Sequence, residues 1–198
     1  MSETSEWLPL FLLSQPLFPG LRLDLQIFEQ RYLKLVRSSM RENLAFGICT
    51  IQEGAEVGVA TSLYSIGVEV QITDFTQLEN GLLGITVEGD RRFDIEETET
   101  DPDGLIRARV RFMEQEQGEA IPDWCSGLAE LYSELRNHPE VNRRLPEIEE
   151  IDCVGLGNGL AQILPMSTEE RIHCLSMRDA MDRLDFLIDH IQTLSNPV

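Results

Sequence analysis

A single lysine, Lys34, stands among fifteen arginines, and that count decides several chemistries at once. A phosphate-binding P-loop needs Gly-Lys-Ser/Thr, with the lysine reaching the β/γ-phosphates. Lys34 lies between Leu33 and Leu35 in a stretch of helical periodicity, so this chain has no P-loop ATPase site. The same lysine is the only one available to a Ser-Lys dyad, with Ser38 at i+4 on the same helix face. Such helical pairs are ordinarily solvated surface. No GxSxG elbow surrounds any serine, and the serines and histidines form no triad motif.

Metal and cofactor signals are equally thin. His138, His173 and His190 fall in separate helical segments, and adjacent His173 and Cys174 point about 100° apart on a helix, which is no ready two-ligand site. Glu147, Glu149, Glu150 and Asp152 lack the glycine and ligand spacing of an EF-hand loop, so they read as a solvated acidic face. Gly155-Leu156-Gly157-Asn158-Gly159 resembles a fragment of a dinucleotide loop, but no strand precedes it and the last glycine spacing is missing. Small residues that let a helix pack closely explain it better. No catalytic, cofactor-binding or metal residue is assigned, and no cofactor is expected.

Composition narrows the field further. With 198 residues, folding can bury roughly 70% of the surface an unfolded chain exposes, so the core needs neither metal nor disulfide. Thirty-five acidic against sixteen basic residues give a net charge of -19, which repels phosphate backbones and anionic lipid. Nucleic acid and membrane surfaces are therefore poor partners. Cys49, Cys125, Cys153 and Cys174 show no CxxC spacing, and the start MSETSEW has neither a basic nor an apolar leader region. These features point to the cytoplasm and to buried, reduced thiols.

The elements are clearest between Leu8 and Val36. An apolar run over 7–13 reads as a strand, Pro16 stops it, and Pro19-Gly20 supplies the central residues of a type II turn. Leu21, Leu23, Leu25 and Ile27 then alternate with polar residues as a half-buried strand. Phe28, Tyr32, Leu35, Val36 and Met40 fall at helical spacing, predicting a helix over 29–41 with that face inward. From 45 to 116 short runs rich in Val, Ile, Thr and Phe predict strands, with 82–87 and 91–98 as two of them. A hairpin register placing Phe93 opposite Val110 and Ile95 opposite Ala108 also sets Asp94 against Arg109 and Glu96 against Arg107. Cross-strand ion pairs, rather than a basic binding stripe, then account for Arg107, Arg109 and Arg111.

After Gly118 the pattern becomes helical. Trp124, Leu128, Leu131, Tyr132 and Leu135 share one face after Pro122-Asp123, and a short helical piece sits between Pro139 and Pro146. A helix over 151–164 ends at Pro165, and Ser167 with Glu170 forms a capping box for a helix turning Ile172 and Leu175 inward. The last helix carries Ala180, Leu184, Leu187, Ile188, Ile191 and Leu194 as its apolar stripe, with Asp182, Arg183, Asp185 and Asp189 on the wet side.

Leu8-Pro9-Leu10-Phe11, Leu17-Phe18-Pro19-Gly20 and Leu23-Asp24-Leu25-Gln26-Ile27-Phe28-Glu29-Gln30-Arg31-Tyr32 resemble the N-terminal substrate-recognition domain of Lon proteases. They resemble still more closely the stand-alone bacterial proteins made of that domain alone. Phe46-Gly47-Ile48, Val57-Gly58, Gly81-Leu82-Leu83-Gly84-Ile85 and Gly89-Asp90-Arg91-Arg92-Phe93 support the likeness. The resemblance implies an α+β protein. A β-rich, PUA-like pseudobarrel with one embedded helix would occupy 1–117, and a helical subdomain 118–198. It also implies a non-enzymatic module that binds exposed apolar segments of unfolded or partly folded polypeptides, as an adaptor or regulator of proteolysis with a protease for partner. The binding residues stay unassigned. An RNA-binding PUA-like module, needing a basic patch of Arg91, Arg92 and Arg111, and an enzyme such as a hydrolase are the alternatives.

Overall fold

The computed structural model describes residues 6–56, 60–145 and 151–195. Residues 1–5, Val57-Gly58, Pro146, Glu147, Glu149 and Glu150 lie outside that range. The chain forms two compact units, one ending at Glu114 and the other starting at Gln115.

The first unit holds β1 (Glu6–Leu13), β2 (Arg22–Ile27), α1 (Gln30–Glu42), β3 (Phe46–Gly54), β4 (Ala60–Gln77), β5 (Leu83–Thr100) and β6 (Ile106–Phe112). Its strands run in the order β2-β5-β4-β3-β1-β6, and a further β5–β6 pairing closes the ring. This is the β-rich pseudobarrel with one embedded helix. β1 pairs antiparallel with β6 over Glu6–Pro9 and parallel with β3 over Leu10–Leu13. Its apolar run has no alternation because both faces are covered. Leu8, Leu10 and Leu12 enter the barrel core, while Phe11 stacks at 4.0 Å on Tyr32 of α1.

The segments 82–87 and 91–98 are one strand, not two. Gly89 does not break β5 but lets another backbone approach, since a Cβ there would lie 2.6 Å from the Phe18 carbonyl oxygen. Gly20 N–H donates to Gly89 O at 2.8 Å, and Gly89 N–H to Leu21 O at 3.0 Å. The Pro19-Gly20 turn is thereby docked onto the middle of β5. Gly20 has φ of 78°, and Leu21 N–H bonds Phe18 O at 3.3 Å, as a type II turn requires.

The β5–β6 register differs from the sequence expectation. Phe93 faces Phe112, Asp94 faces Arg111 and Ile95 faces Val110, with a bulge before Glu97, which faces Arg109. β5 extends to Thr100, so the connection is shorter than expected, and the pairing slips by two residues as far as Ile95 and by three beyond the bulge. A slip of two preserves which face each side chain takes. Phe93, Ala108 and Val110 accordingly remain in the core.

Helix α1 turns Tyr32, Leu35, Val36 and Ser39 inward, and Phe28 and Met40 are exposed rather than part of that face. Phe28 precedes the helix, so strand alternation puts it opposite buried Ile27. At the far end Ser39, not Met40, takes the inward position. The Arg31 guanidinium meets Glu29 at 3.0 Å and donates to Gly104 O at 3.1 Å, holding the strand-to-helix junction.

The second unit comprises a 3-10 turn Asp123–Cys125, then α2 (Ser126–Arg136), α3 (Pro139–Asn142), α4 (Cys153–Ile163), α5 (Thr168–Ser176) and α6 (Ala180–Ser195). Trp124 is 52% exposed instead of lying with Leu128 and Tyr132, because the 3-10 turn breaks the α-helical phase before α2. The glycines of α4 are packing sites. A Cβ on Gly159 would lie 2.5 Å from the Tyr132 ring, and one on Gly157 would lie 3.2 Å from the Arg183 side chain.

Arg183 is the largest departure from the amphipathic reading of α6, being completely buried. Its Nη2 donates to both Glu116 carboxylate oxygens at 2.8 Å and to Met177 O at 3.1 Å, while Nε donates to Cys174 O at 3.1 Å.

The capping box of α5 is complete: Glu170 N–H donates to Ser167 Oγ at 3.2 Å and Ser167 N–H to the Glu170 carboxylate at 2.7 Å. That backbone donor is the main reason the Glu170 carboxyl sits below its ordinary value. Ser167→Ala should cost about 1 kcal/mol in urea unfolding. Glu170→Gln separates out the charge. A carboxyl lowered on folding stabilises above its unfolded value and loses that contribution as pH falls through its folded value. The advantage of the parent over Glu170→Gln should therefore be present at neutral pH and vanish on acidification. An advantage that persists unchanged at low pH would refute this account.

Candidate functional site

Lys34 and Ser38 do share a surface on α1, but Lys34 Nζ bonds the Asp103 carboxylate at 2.9 Å. A solvated, ion-paired ammonium is no general base. Burial pushes the Cys49 thiol up to about 12 and the Cys174 thiol to about 11, so neither is a thiolate nucleophile at neutral pH. Asp152 caps α4 by accepting from Gly155 N–H at 2.7 Å. His190 bonds Pro165 O at 3.0 Å, and His173 packs edge-on against Phe186. Among the described residues no group of three or more His, Cys, Asp or Glu could hold a metal ion.

Arg91, Arg109 and Arg111 are tied to carboxylates. Arg109 meets Glu97 at 3.2 Å and Glu96 at 3.5 Å, and Arg111 meets Asp94 at 3.5 Å. Arg91 donates to both oxygens of buried Glu69, at 2.7 and 3.0 Å, and lies 3.8 Å over the Phe112 ring. Arg92 is buried. The basic patch that RNA binding would need is not assembled from Arg91, Arg92 and Arg111. Among the described residues no helix is long and apolar enough to cross a membrane.

Two adjoining grooves in the first unit form the surface best suited to a ligand. The larger, about 480 Å³, lies between the start of β1, α1 and β6, with Trp7, Pro9, Leu44 and Leu105 beside Glu6, Lys34, Arg91 and Arg107. The smaller, about 230 Å³, lies between the end of α1 and residues 71–75 of β4. Ser39 and Leu44 line both. Around them four large apolar side chains are open to solvent: Trp7 at 36%, Met40 at 40%, Leu44 at 56% and Phe75 at 59%.

Local structure accounts for that exposure. Asn43 ends α1 in the left-handed region, with φ of 52°, and Leu44 N–H returns to Ser39 O at 3.1 Å. This cap reverses the chain and turns Leu44 outward. Phe75 lies in the polar stretch Thr73-Asp74-Phe75-Thr76-Gln77, which is the sequence signal for its place outside the core. Met40 gave the opposite signal, since its spacing matched the inward face of α1.

Residues 7–193 match the ATP-dependent protease La (LON) substrate-binding domain. The chain is 30% identical over 88 residues to the Lon protease of Parabacteroides distasonis, covering 43% of this chain and 11% of that protein. It is 25% identical over 185 residues to the Lon protease of Heliobacterium modesticaldum, covering 87% of this chain and 22% of that protein. It thus spans less than a quarter of the length of these relatives. The crystal structure of a Lon N-terminal domain protein from Xanthomonas campestris superposes with a TM-score of 0.76 at 28% identity, covering 93% of this chain and 98% of that one. The N-terminal domain of the Mycobacterium avium complex Lon protease shares the fold, with a TM-score of 0.64 at 17% identity over 93% of this chain and 97% of that one. With the family match extending over nearly the whole chain, this protein belongs to the Lon substrate-binding domain family.

Proposed function

We propose that this protein is a non-enzymatic recognition module that binds exposed apolar segments of unfolded or partly folded polypeptides, and that it serves in the cytoplasm as an adaptor or regulator of proteolysis. The observation that carries the reading is the set Trp7, Met40, Leu44 and Phe75, exposed together around two adjoining grooves. Isolated exposed apolar residues need no explanation, but a cluster around a concavity marks an interaction site. Membership in a substrate-binding domain family supports the same reading.

Reduced and alkylated lysozyme, an unfolded basic chain, is a suitable probe. The combined change Leu44→Ser and Phe75→Ser should weaken its binding at least about tenfold, equivalent to about 1.4 kcal/mol. Both residues are exposed, so circular dichroism should stay unchanged. Undiminished binding by this variant, or no binding by the parent protein, would refute the proposal.

A further inference from the structure

Pairing of β3 with β4 stops at Phe46 opposite Val70. β4 continues to Gln77, and beyond Val70 it pairs only with β5 among the described strands. Residues 71–77 therefore form an open edge on the side that β3 has left. The smaller groove follows this edge, because five consecutive residues, Gln71 to Phe75, line it. A groove over a sheet face would be lined by alternate residues.

The hydrogen-bond phase shows which groups face the open side. Leu78 N–H donates to Leu82 O at 2.9 Å, which makes that pair a hydrogen-bonded one. Stepping back by two makes Thr76 and Gly84 another such pair. Phe75, opposite Ile85, and Gln77, opposite Leu83, then direct their backbone N–H and C=O away from β5. The Phe75 amide agrees, since its donor is taken by the side chain of Asp74, at 2.8 Å, and not by β5. A carboxylate covering an exposed edge amide is a way of guarding an edge against unwanted pairing.

We infer that an extended polypeptide segment, alternating apolar and basic residues, adds to this edge as a further antiparallel or parallel strand. The inference rests on the polypeptide-binding reading above and specifies how the ligand is held. Backbone groups at Phe75 and Gln77 supply hydrogen bonds that any sequence can meet, and the ligand displaces the Asp74 carboxylate from the Phe75 amide. Alternate ligand side chains meet Leu44, Met40 and Phe75 on one face. Basic residues suit the other, because Asp74 is the only ionisable residue lining the groove and the chain carries a net charge of -19.

The test uses a short fluorescein-labelled peptide alternating arginine and valine, read by anisotropy, beside two versions N-methylated at every second amide in the two opposite phases. Charge and side chains are the same in all three. Strand addition predicts that one phase binds at least about tenfold more weakly than the unmodified peptide and the other does not. Gln77→Pro should give a similar loss on the protein side, because its N–H lies outside the β5 ladder and the fold does not need it. A glutamate-for-arginine peptide should bind more weakly at low salt. Equal binding of all three arginine peptides, with a loss on Leu44→Ser and Phe75→Ser, would overturn strand addition while leaving apolar recognition intact. Equal binding with no loss in that variant, or no peptide binding at all, would overturn both.

Discussion

Arg183→Ala should destabilise the helical unit by about 3–5 kcal/mol, because it removes the buried cation that is paired with a largely buried carboxylate. Arg183 is completely buried and the Glu116 side chain only 8% exposed. Both carboxylate oxygens lose the Nη2 donor, and the carbonyls of Cys174 and Met177 at the end of α5 lose theirs. A cation at a helix C-terminus also interacts favourably with the helix dipole, which the alanine forfeits. Urea unfolding followed by circular dichroism would measure the loss. The double change Arg183→Met with Glu116→Leu should recover most of it, since an apolar pair of similar volume carries no desolvation cost. A single-variant loss below about 1 kcal/mol would show that water reaches Glu116 and that the pair is not truly buried.

Phe93→Ala should cost about 3–5 kcal/mol, the range for emptying a fully buried aromatic site. Phe93 is 0% exposed within a cluster of Leu8, Leu10, Leu12, Cys49, Ile51, Ala108 and Val110. Its ring lies over two glycines. A Cβ added at Gly67 would be 2.4 Å from the ring, and one at Gly47 would be 2.7 Å away. Gly67→Ala alone should thus cost about 1–3 kcal/mol through overpacking. In the Phe93→Ala background the ring contacts are gone and only the 2.7 Å approach to the Ile48 carbonyl oxygen remains, so the double variant should be more stable than the sum of the two losses predicts. Strict additivity in denaturant unfolding would contradict this packing.

Much of the first unit was legible in the residues themselves. The type II turn at Pro19-Gly20 follows from backbone preferences of those two residues, and the alternation from Leu21 to Ile27 follows from strand geometry. The capping box at Ser167 and Glu170 was equally legible, because it is satisfied within four residues. The hairpin between β5 and β6 was legible in kind but not in register. Its bulge lies between Ile95 and Glu97, where Glu96-Glu97 interrupts the alternation, and a pair of glutamates on its own does not distinguish an inserted residue from the wet end of a strand.

The candidate binding surface was legible only at Phe75, through its polar neighbours. Met40 fits a helical stripe, and only the end of α1 at Asn43 shows that the inward position belongs to Ser39. The open edge of β4 exists because β3 starts only at Phe46, opposite Val70, and a sequence does not show where two distant strands part. Arg183 is the sharpest case: among Asp182, Leu184 and Asp185 it has the pattern of a solvated residue, and its partner lies 67 positions away. Local sequence by itself determined turns, caps and strand faces, whose interactions span a few residues. Tertiary structure alone decided which charge is buried, which apolar side chains stay wet and which strand edge is open, because each depends on what the rest of the chain brings alongside.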